Sequence, residues 1–122
     1  FCRVVNIIED CGYSNLWDVL LNQVVIPNSM MAICDFAVYM RTGYMISDVC
    51  PLKQIKKTKI PILFIHGDND RFVPFSMLDQ LYNSTGGPKE KLVIKGAGHA
   101  GSFETNSRLY YSTIDKFLLK YI

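Results

Sequence analysis

Two runs of the chain are rich in β-branched and other apolar residues, and a third, shorter run lies between lysines. They cover residues 4–10, 60–66 and 91–96. A short continuous apolar run is typical of a strand buried on both faces, because a strand with one solvated face would alternate apolar and polar positions. The pattern therefore predicts three short strands, the first two of them buried on both faces.

Between these runs the apolar positions recur at helical spacing. Ser14 or Asn15 is placed to cap a first helix, and Gly43 is placed to end the second. Helices are predicted from about residue 15 to 21, over 29–40 and 51–55, from Val73-Pro74 to the break at 86–88, and from Thr105 or Asn106 onward. The last helix has an amphipathic stripe of Tyr110, Ile114, Phe117, Leu118 and Tyr121.

The order of these elements predicts the fold class. Buried strands that alternate with amphipathic helices favour a parallel sheet with right-handed crossovers, and 122 residues suit one domain. The chain is therefore expected to be α/β with three parallel strands. The helix over 29–40 is apolar nearly all round, so it is either buried in the core or covers a pocket.

Composition and charge exclude several classes of function. A net charge of +2 does not favour nucleic acid or an anionic membrane as a partner, and the lysines at 53, 56, 57 and 59 are expected to be solvated. No apolar run approaches the length of a membrane span. The four cysteines form no CxxC pair and there are only two histidines, so we expect no metal, no cofactor and free, buried thiols.

The residues that follow the second and third strands carry the candidate chemistry. The second strand leads into His66, Asp68 and Asp70, and the third leads into a glycine-flanked His99. Because the carboxyl ends of parallel strands meet at one edge of the sheet, these side chains are expected to lie close together. A carboxylate there can accept the Nδ1–H of the histidine, fix its tautomer and stabilise the imidazolium.

Each of these residues also has a structural interpretation. His99 could be a surface-loop histidine, and Asp70 could cap the helix that begins at Val73-Pro74. Asp68 suits a turn, and His66 is expected to order the loop by hydrogen bonding. The "DND" turn also resembles that of aspartate-nucleophile phosphatases, although Phe72 replaces the expected hydroxyl residue and His99 would have no role.

The segment "IPILFIHGDNDRFVP", followed by "GAGHAGS", resembles the C-terminal part of α/β-hydrolase-fold serine hydrolases. "DVCPLKQIKKTKIPILFIHG" is similar to the approach to that strand in bacterial esterase-like and peptidase-like members with a small cap. The resemblance implies that Asp70 is the triad acid, that His99 is the general base and that Asp68 is a neighbouring turn residue. It further implies a partial α/β-hydrolase domain over 1–122, with a cap-like helical segment at about 15–50 and the acid and histidine strands within 60–122.

The nucleophile of that family is not found in this sequence. It lies in a G-x-S-x-G elbow, and none of the eight serines has glycines at that spacing. The chain begins at Phe1-Cys2-Arg3 without an initiator Met, as though cut from something longer. The expected partner is therefore an N-terminal half that carries the nucleophile, or another copy of the chain.

The expected function follows from the resemblance. The full-length protein would cleave a small-molecule ester or a related acyl bond through a Ser-His-Asp triad, and the isolated fragment would be inactive. The alternative is a non-catalytic α/β-hydrolase-like fragment with a binding or scaffold role. The sequence does not identify the substrate or the compartment.

Overall fold

The computed structural model describes residues 4–121 and contains a three-stranded parallel sheet. The strands are β1 (Ile7–Asp10), β2 (Ile62–Gly67) and β3 (Lys89–Ile94), in the order β1-β2-β3. Ile7 is paired with Ile62, and Ile62 is paired in turn with Lys89. The predicted α/β class with three parallel strands is confirmed.

The strands differ in burial. All six residues of β2 are buried, as the continuous apolar run predicts. The prediction that the first strand is buried on both faces is wrong for the described residues, because β1 alternates between exposed and half-buried positions. β1 is an edge strand in residues 4–121, so only β2 covers it laterally and Ile8 remains exposed.

The helices lie close to their predicted positions. They are α1 (Leu16–Gln23), α2 (Asn28–Thr42), α3 (Pro51–Ile55), α4 (Ser76–Ser84), α5 (Ser102–Thr105) and α6 (Ser107–Tyr121), with a 3₁₀ turn at Ile46–Asp48. Asn15 caps α1 by accepting the amide of Trp17 at 2.9 Å. Gly43 ends α2 in the left-handed conformation at φ 78°, which a glycine adopts without a steric penalty. The four-residue α5 was not predicted.

Helices pack on both faces of the sheet. On one face, Phe117 of α6 contacts a cluster of Leu63, Ile65 and Ile94, and the rest of the predicted stripe packs around it. On the other face, α4 contributes Leu78 and Leu81 to a cluster with Ile62 and Phe64. Alternate residues of β2 thus point into opposite layers, which explains why its sequence is apolar throughout.

The second helix, α2, does not form part of the core. Only Met31 and Asp35 are buried along its length, so of the two alternatives for this helix, burial in the core is wrong for the described residues. Asp35 accepts the amide of Ile46 at 2.5 Å and the hydroxyl of Ser47 at 2.7 Å. The Asp35 carboxylate therefore connects α2 to the 3₁₀ turn by hydrogen bonds.

Cysteine pairing and helix length can be compared with the predictions for the described residues. Cys11, Cys34 and Cys50 are unpaired, as predicted. Cys11 is buried but Cys34 is exposed, so the expectation of buried thiols is wrong for Cys34. Cys2 lies outside the described residues. Among residues 4–121, no helix combines the length and the hydropathy that a membrane span needs.

Candidate active site

Asp70 and His99 meet at the carboxyl edge of the sheet. Asp70 closes the turn after β2, and His99 lies in the loop after β3. The Nδ1 atom of His99 lies 2.9 Å from Oδ2 of Asp70. The structure therefore brings together the two residues that the strand-end argument singled out.

Both carboxylate oxygens of Asp70 are occupied by hydrogen bonds. Oδ1 accepts the amides of Phe72 at 2.8 Å and Val73 at 2.9 Å, while Oδ2 faces His99. The Asp70 side chain is fully buried. One oxygen thus orders the turn through the amides of Phe72 and Val73, and the other holds the histidine. The alternative that Asp70 caps the following helix is wrong, because α4 begins at Ser76 and has no side-chain cap.

The surroundings of Asp70 favour its ionised form. Burial by itself would raise the pKa of Asp70, but the hydrogen bonds from His99, Val73 and Phe72 outweigh it and hold that pKa below its ordinary value. Asp70 is therefore a carboxylate at neutral pH. Because a carboxylate only accepts hydrogen bonds, the proton of the shared bond is on Nδ1 of His99.

His99 is consequently held in the tautomer that a general base needs. With Nδ1 protonated, the neutral ring has its lone pair on Nε2. The side chain is 40% exposed, and the Phe72 ring lies against it with centroids 4.8 Å apart. Phe72, whose role the sequence did not indicate, forms one wall beside the imidazole.

Asp68 joins the acid turn to the histidine loop. Its Oδ1 accepts the amide of Gly96 at 2.6 Å, and the amide of Asn69 donates to the carbonyl of Ala97 at 3.1 Å. A Cβ atom at Gly67 would collide with that Ala97 carbonyl, so glycine is required where the two strand ends approach. Asp68 thus acts as the turn residue that was predicted.

Cys11 is the site residue that sequence reasoning missed. It follows β1 at the same sheet edge with φ 58°, and its Sγ accepts the amide of Ala100 at 3.4 Å. Its position directly after a strand was the available signal. Burial raises its pKa to about 11, with the Ala100 amide opposing this and Asp10 adding to it, so the thiol is protonated at neutral pH.

One group of side chains resembles a metal-ligand set. Donor atoms of Cys11, Asp70 and His99 lie within 4.8 Å of one another, and no other such group occurs in residues 4–121. Both oxygens of Asp70 already accept hydrogen bonds, and the thiol keeps its proton. Asp70 and His99 therefore form a hydrogen-bonded acid–histidine pair, with the Cys11 thiol beside it.

Comparison with known families shows where this geometry belongs. Residues 16–122 match the model of the prolyl oligopeptidase family. The chain belongs to this family. The resemblance noted from the HGDND and GAGHAGS segments is thereby confirmed.

Three individual proteins are also similar to this chain. Protein YqkD of Bacillus subtilis, whose function is uncharacterised, is 36% identical over 89 residues, which are 73% of this chain and 29% of YqkD. The structure of a putative non-heme bromoperoxidase, BpoC of Mycobacterium tuberculosis, aligns with a TM-score of 0.63 at 16% identity, over 98% of this chain and 59% of BpoC. A truncated carbohydrate esterase from gut microbiota aligns with a TM-score of 0.47 at 24% identity, over 61% of this chain and 27% of its own.

These findings establish the hydrolase relationship and the fold. The chain has the fold of the C-terminal part of an α/β-hydrolase, and it spans less than a third of the curated relative that it matches. The activity, substrate and partners of the whole protein are therefore matters for a proposal.

Proposed function

We propose that this chain supplies the acid and the general base of a Ser-His-Asp triad, Asp70 and His99, in a hydrolase that cleaves carboxylic ester or related acyl bonds. One observation carries the proposal: a buried, ionised carboxylate holds Nδ1 of a half-exposed histidine at 2.9 Å. That geometry leaves the Nε2 lone pair free to accept a proton.

The reaction would proceed in two acyl-transfer steps. Nε2 of His99 takes the proton of a serine hydroxyl as its oxygen attacks the acyl carbon, and the imidazolium then protonates the departing alkoxide. In the second step His99 takes a proton from water, whose oxygen attacks the acyl-enzyme, and returns that proton to the serine. Asp70 stays ionised throughout and stabilises the imidazolium.

The proposal places the nucleophile and the oxyanion hole outside this chain. No serine in the sequence has the G-x-S-x-G spacing, and BpoC extends well beyond the part that this chain covers. The outer edge of β1 has no strand partner in residues 4–121, and Val4, Val5 and Ile8 are exposed there. An additional strand is expected to pair with this edge, either from an N-terminal half of the protein or from another copy.

We further propose that residues 15–50 form a small cap beside the site. Gln23, at the end of α1, donates to the carbonyls of Phe72 at 2.9 Å and Arg71 at 3.3 Å, which links this segment to the acid turn. Apolar side chains of α2 remain exposed, among them Ile33, Phe36 and Met40. Such a surface suits the acyl part of a small-molecule ester.

Covalent labelling tests the proposal directly. The intact mass of the full-length protein would be measured under denaturing conditions before and after treatment with a fluorophosphonate, which reacts with an activated serine. We expect one probe per protein, and far slower labelling of the His99→Ala variant, whose fold is checked by thermal unfolding. A folded wild-type protein that takes up no probe would instead support the non-catalytic binding or scaffold role.

A matched comparison locates the nucleophile. The isolated 122-residue chain is expected to take up no probe and to show no turnover above that of free imidazole. Multiple turnover by the pure chain would contradict the proposal, because the nucleophile would then have to lie within this sequence.

A further inference from the structure

A second histidine lies beneath the acid–base pair, and the proposed mechanism does not use it. His66 is in β2 and is completely buried. Its Nε2 lies 3.1 Å from the carbonyl oxygen of Val73 and 3.5 Å from Oδ2 of Asp70. The Phe75 ring packs edge-on against the imidazole with centroids 5.9 Å apart. His66 therefore contacts the same carboxylate oxygen that accepts the His99 proton.

The surroundings of His66 fix its tautomer. A carbonyl oxygen can only accept, so the bond to Val73 places the proton of His66 on Nε2. Its Nδ1 is buried and has no hydrogen-bond partner among the described residues. The N–H on Nε2 therefore points toward the carbonyl of Val73 and the carboxylate of Asp70.

These contacts form a closed ring around the acid. Val73 accepts the N–H of His66 through its carbonyl and donates its own amide to Oδ1 of Asp70. The N–H of His66 also adds a weak positive potential at Oδ2, opposite the bond from His99. Loss of His66 would loosen the turn that holds Asp70 and increase the negative charge that Asp70 presents to His99.

We propose that His66 is a positioning residue for the acid–base pair: its buried Nε2–H orients Asp70 through Val73 and sets the pH at which His99 begins to act as a base. The inference rests on the proposed triad and assigns it a third residue from this chain. His66 does not touch a substrate, so its effect is expected in kcat and in the pH profile, and not in KM.

Other ionisable groups surround the pair and remain unchanged when His66 is replaced. Tyr110 donates to Asp10 at 3.0 Å, and burial raises its pKa to about 12, with the bond to Asp10 adding to the effect. Titratable or charged side chains on the neighbouring elements and loops include Asp10, Cys11, Tyr13, Asp68, Arg71, Asp79 and Tyr110. Any difference between variants at position 66 is therefore a difference in what His66 itself supplies.

The test compares His66→Leu with His66→Gln in the full-length enzyme. Leucine fills a similar volume without a donor, whereas the terminal amide of glutamine places an N–H near the position of Nε2. For His66→Leu we expect kcat to fall by about ten- to a hundredfold, through misplacement of the acid. The acid limb of kcat/KM should also move upward by roughly 0.5 pH unit, because the carboxylate is less neutralised. His66→Gln should restore most of both.

A second measurement does not depend on activity. The proton shared by His99 and Asp70 should give a low-field proton resonance, which we expect to move in His66→Leu and to stay near its wild-type position in His66→Gln. If the wild type takes up no fluorophosphonate, the proposed function fails while this resonance still decides the role of His66. Equal behaviour of the leucine and glutamine variants, whether wild-type-like or impaired, would overturn the proposal.

A further pair of variants covers the case in which His66→Leu does not fold. Asparagine is polar like glutamine, but its amide ends one bond short of the carbonyl of Val73. His66→Asn should therefore show the shifted profile and His66→Gln should not, and the absence of any difference between them would equally overturn the proposal.

Discussion

Replacement of Asp70 by asparagine gives the most direct test of the pair, because the change is nearly isosteric. The asparagine carbonyl can still accept the amides of Phe72 and Val73, so the turn should keep its shape. At the position of Oδ2, however, a carboxylate oxygen is replaced by an NH₂ group, which donates toward His99. The imidazole must then accept at Nδ1, which moves its proton to Nε2 and removes the lone pair that would take the serine proton.

The expected loss is large and can be compared with that of a neighbouring control. A wrong tautomer at a triad histidine typically lowers kcat on the order of 10⁴-fold, which corresponds to about 5 kcal/mol in the barrier. Asp68→Asn is the matched control, because an asparagine carbonyl can still accept the Gly96 amide. We expect this control to stay within about tenfold of wild type, as for a single neutral hydrogen bond in place of a charge-assisted one.

The assay is ester turnover, the proposed activity, by the full-length protein at neutral pH, with thermal unfolding to show that both variants fold. The reasoning is refuted if Asp68→Asn loses as much activity as Asp70→Asn, or if Asp70→Asn stays within tenfold of wild type. The first outcome would mean that the loss is not specific to the carboxylate that faces His99. The second would mean that His99 does not depend on this carboxylate for its tautomer.

Three further predictions concern stability. Burial raises the pKa of the Glu9 carboxyl to about 7. The nearby Gly12 amide lowers this pKa, although it makes no well-directed hydrogen bond to the carboxyl, and the negative charge of Asp10 raises it further. The folded state then binds the proton more tightly than the unfolded state, so this contribution to stability is complete below about pH 4.5 and is lost as the pH rises to about 7. Glu9→Gln should be more stable than wild type at pH 8 by at most about 3 kcal/mol and equal to it at pH 4 in urea unfolding; an equal gain at both pH values would disprove the assignment. Asp35→Ala should remove two hydrogen bonds to a charged group and destabilise the link to the 3₁₀ turn by about 2–4 kcal/mol, seen as faster hydrogen exchange at the Ile46 amide; unchanged exchange would contradict it. Phe117→Ala should lower the free energy of unfolding by about 3–5 kcal/mol because its ring is fully buried against the sheet, and a loss below 1 kcal/mol would show that the cluster repacks.

The sequence by itself determined the layers and the location of the candidate site. The apolar run of β2 and the stripe on α6 can each be packed in only one way, since polar groups cannot be buried without partners. Once the strands are parallel, residues that directly follow β2 and β3 must share one edge of the sheet. Asp70 and His99 were therefore identifiable before any coordinates were known.

Only the tertiary structure decided which side-chain atoms contact each other at that edge. Oδ2 is the oxygen of Asp70 that faces His99, His66 contacts the same oxygen, and Cys11 lies beside the pair. These arrangements depend on how the folded chain brings its strands and loops together. Sequence patterns report the local period of burial, and they carry no information on the direction of a side chain relative to another strand. The same limit explains β1 and α2, because an apolar residue is buried only where another element is present to cover it.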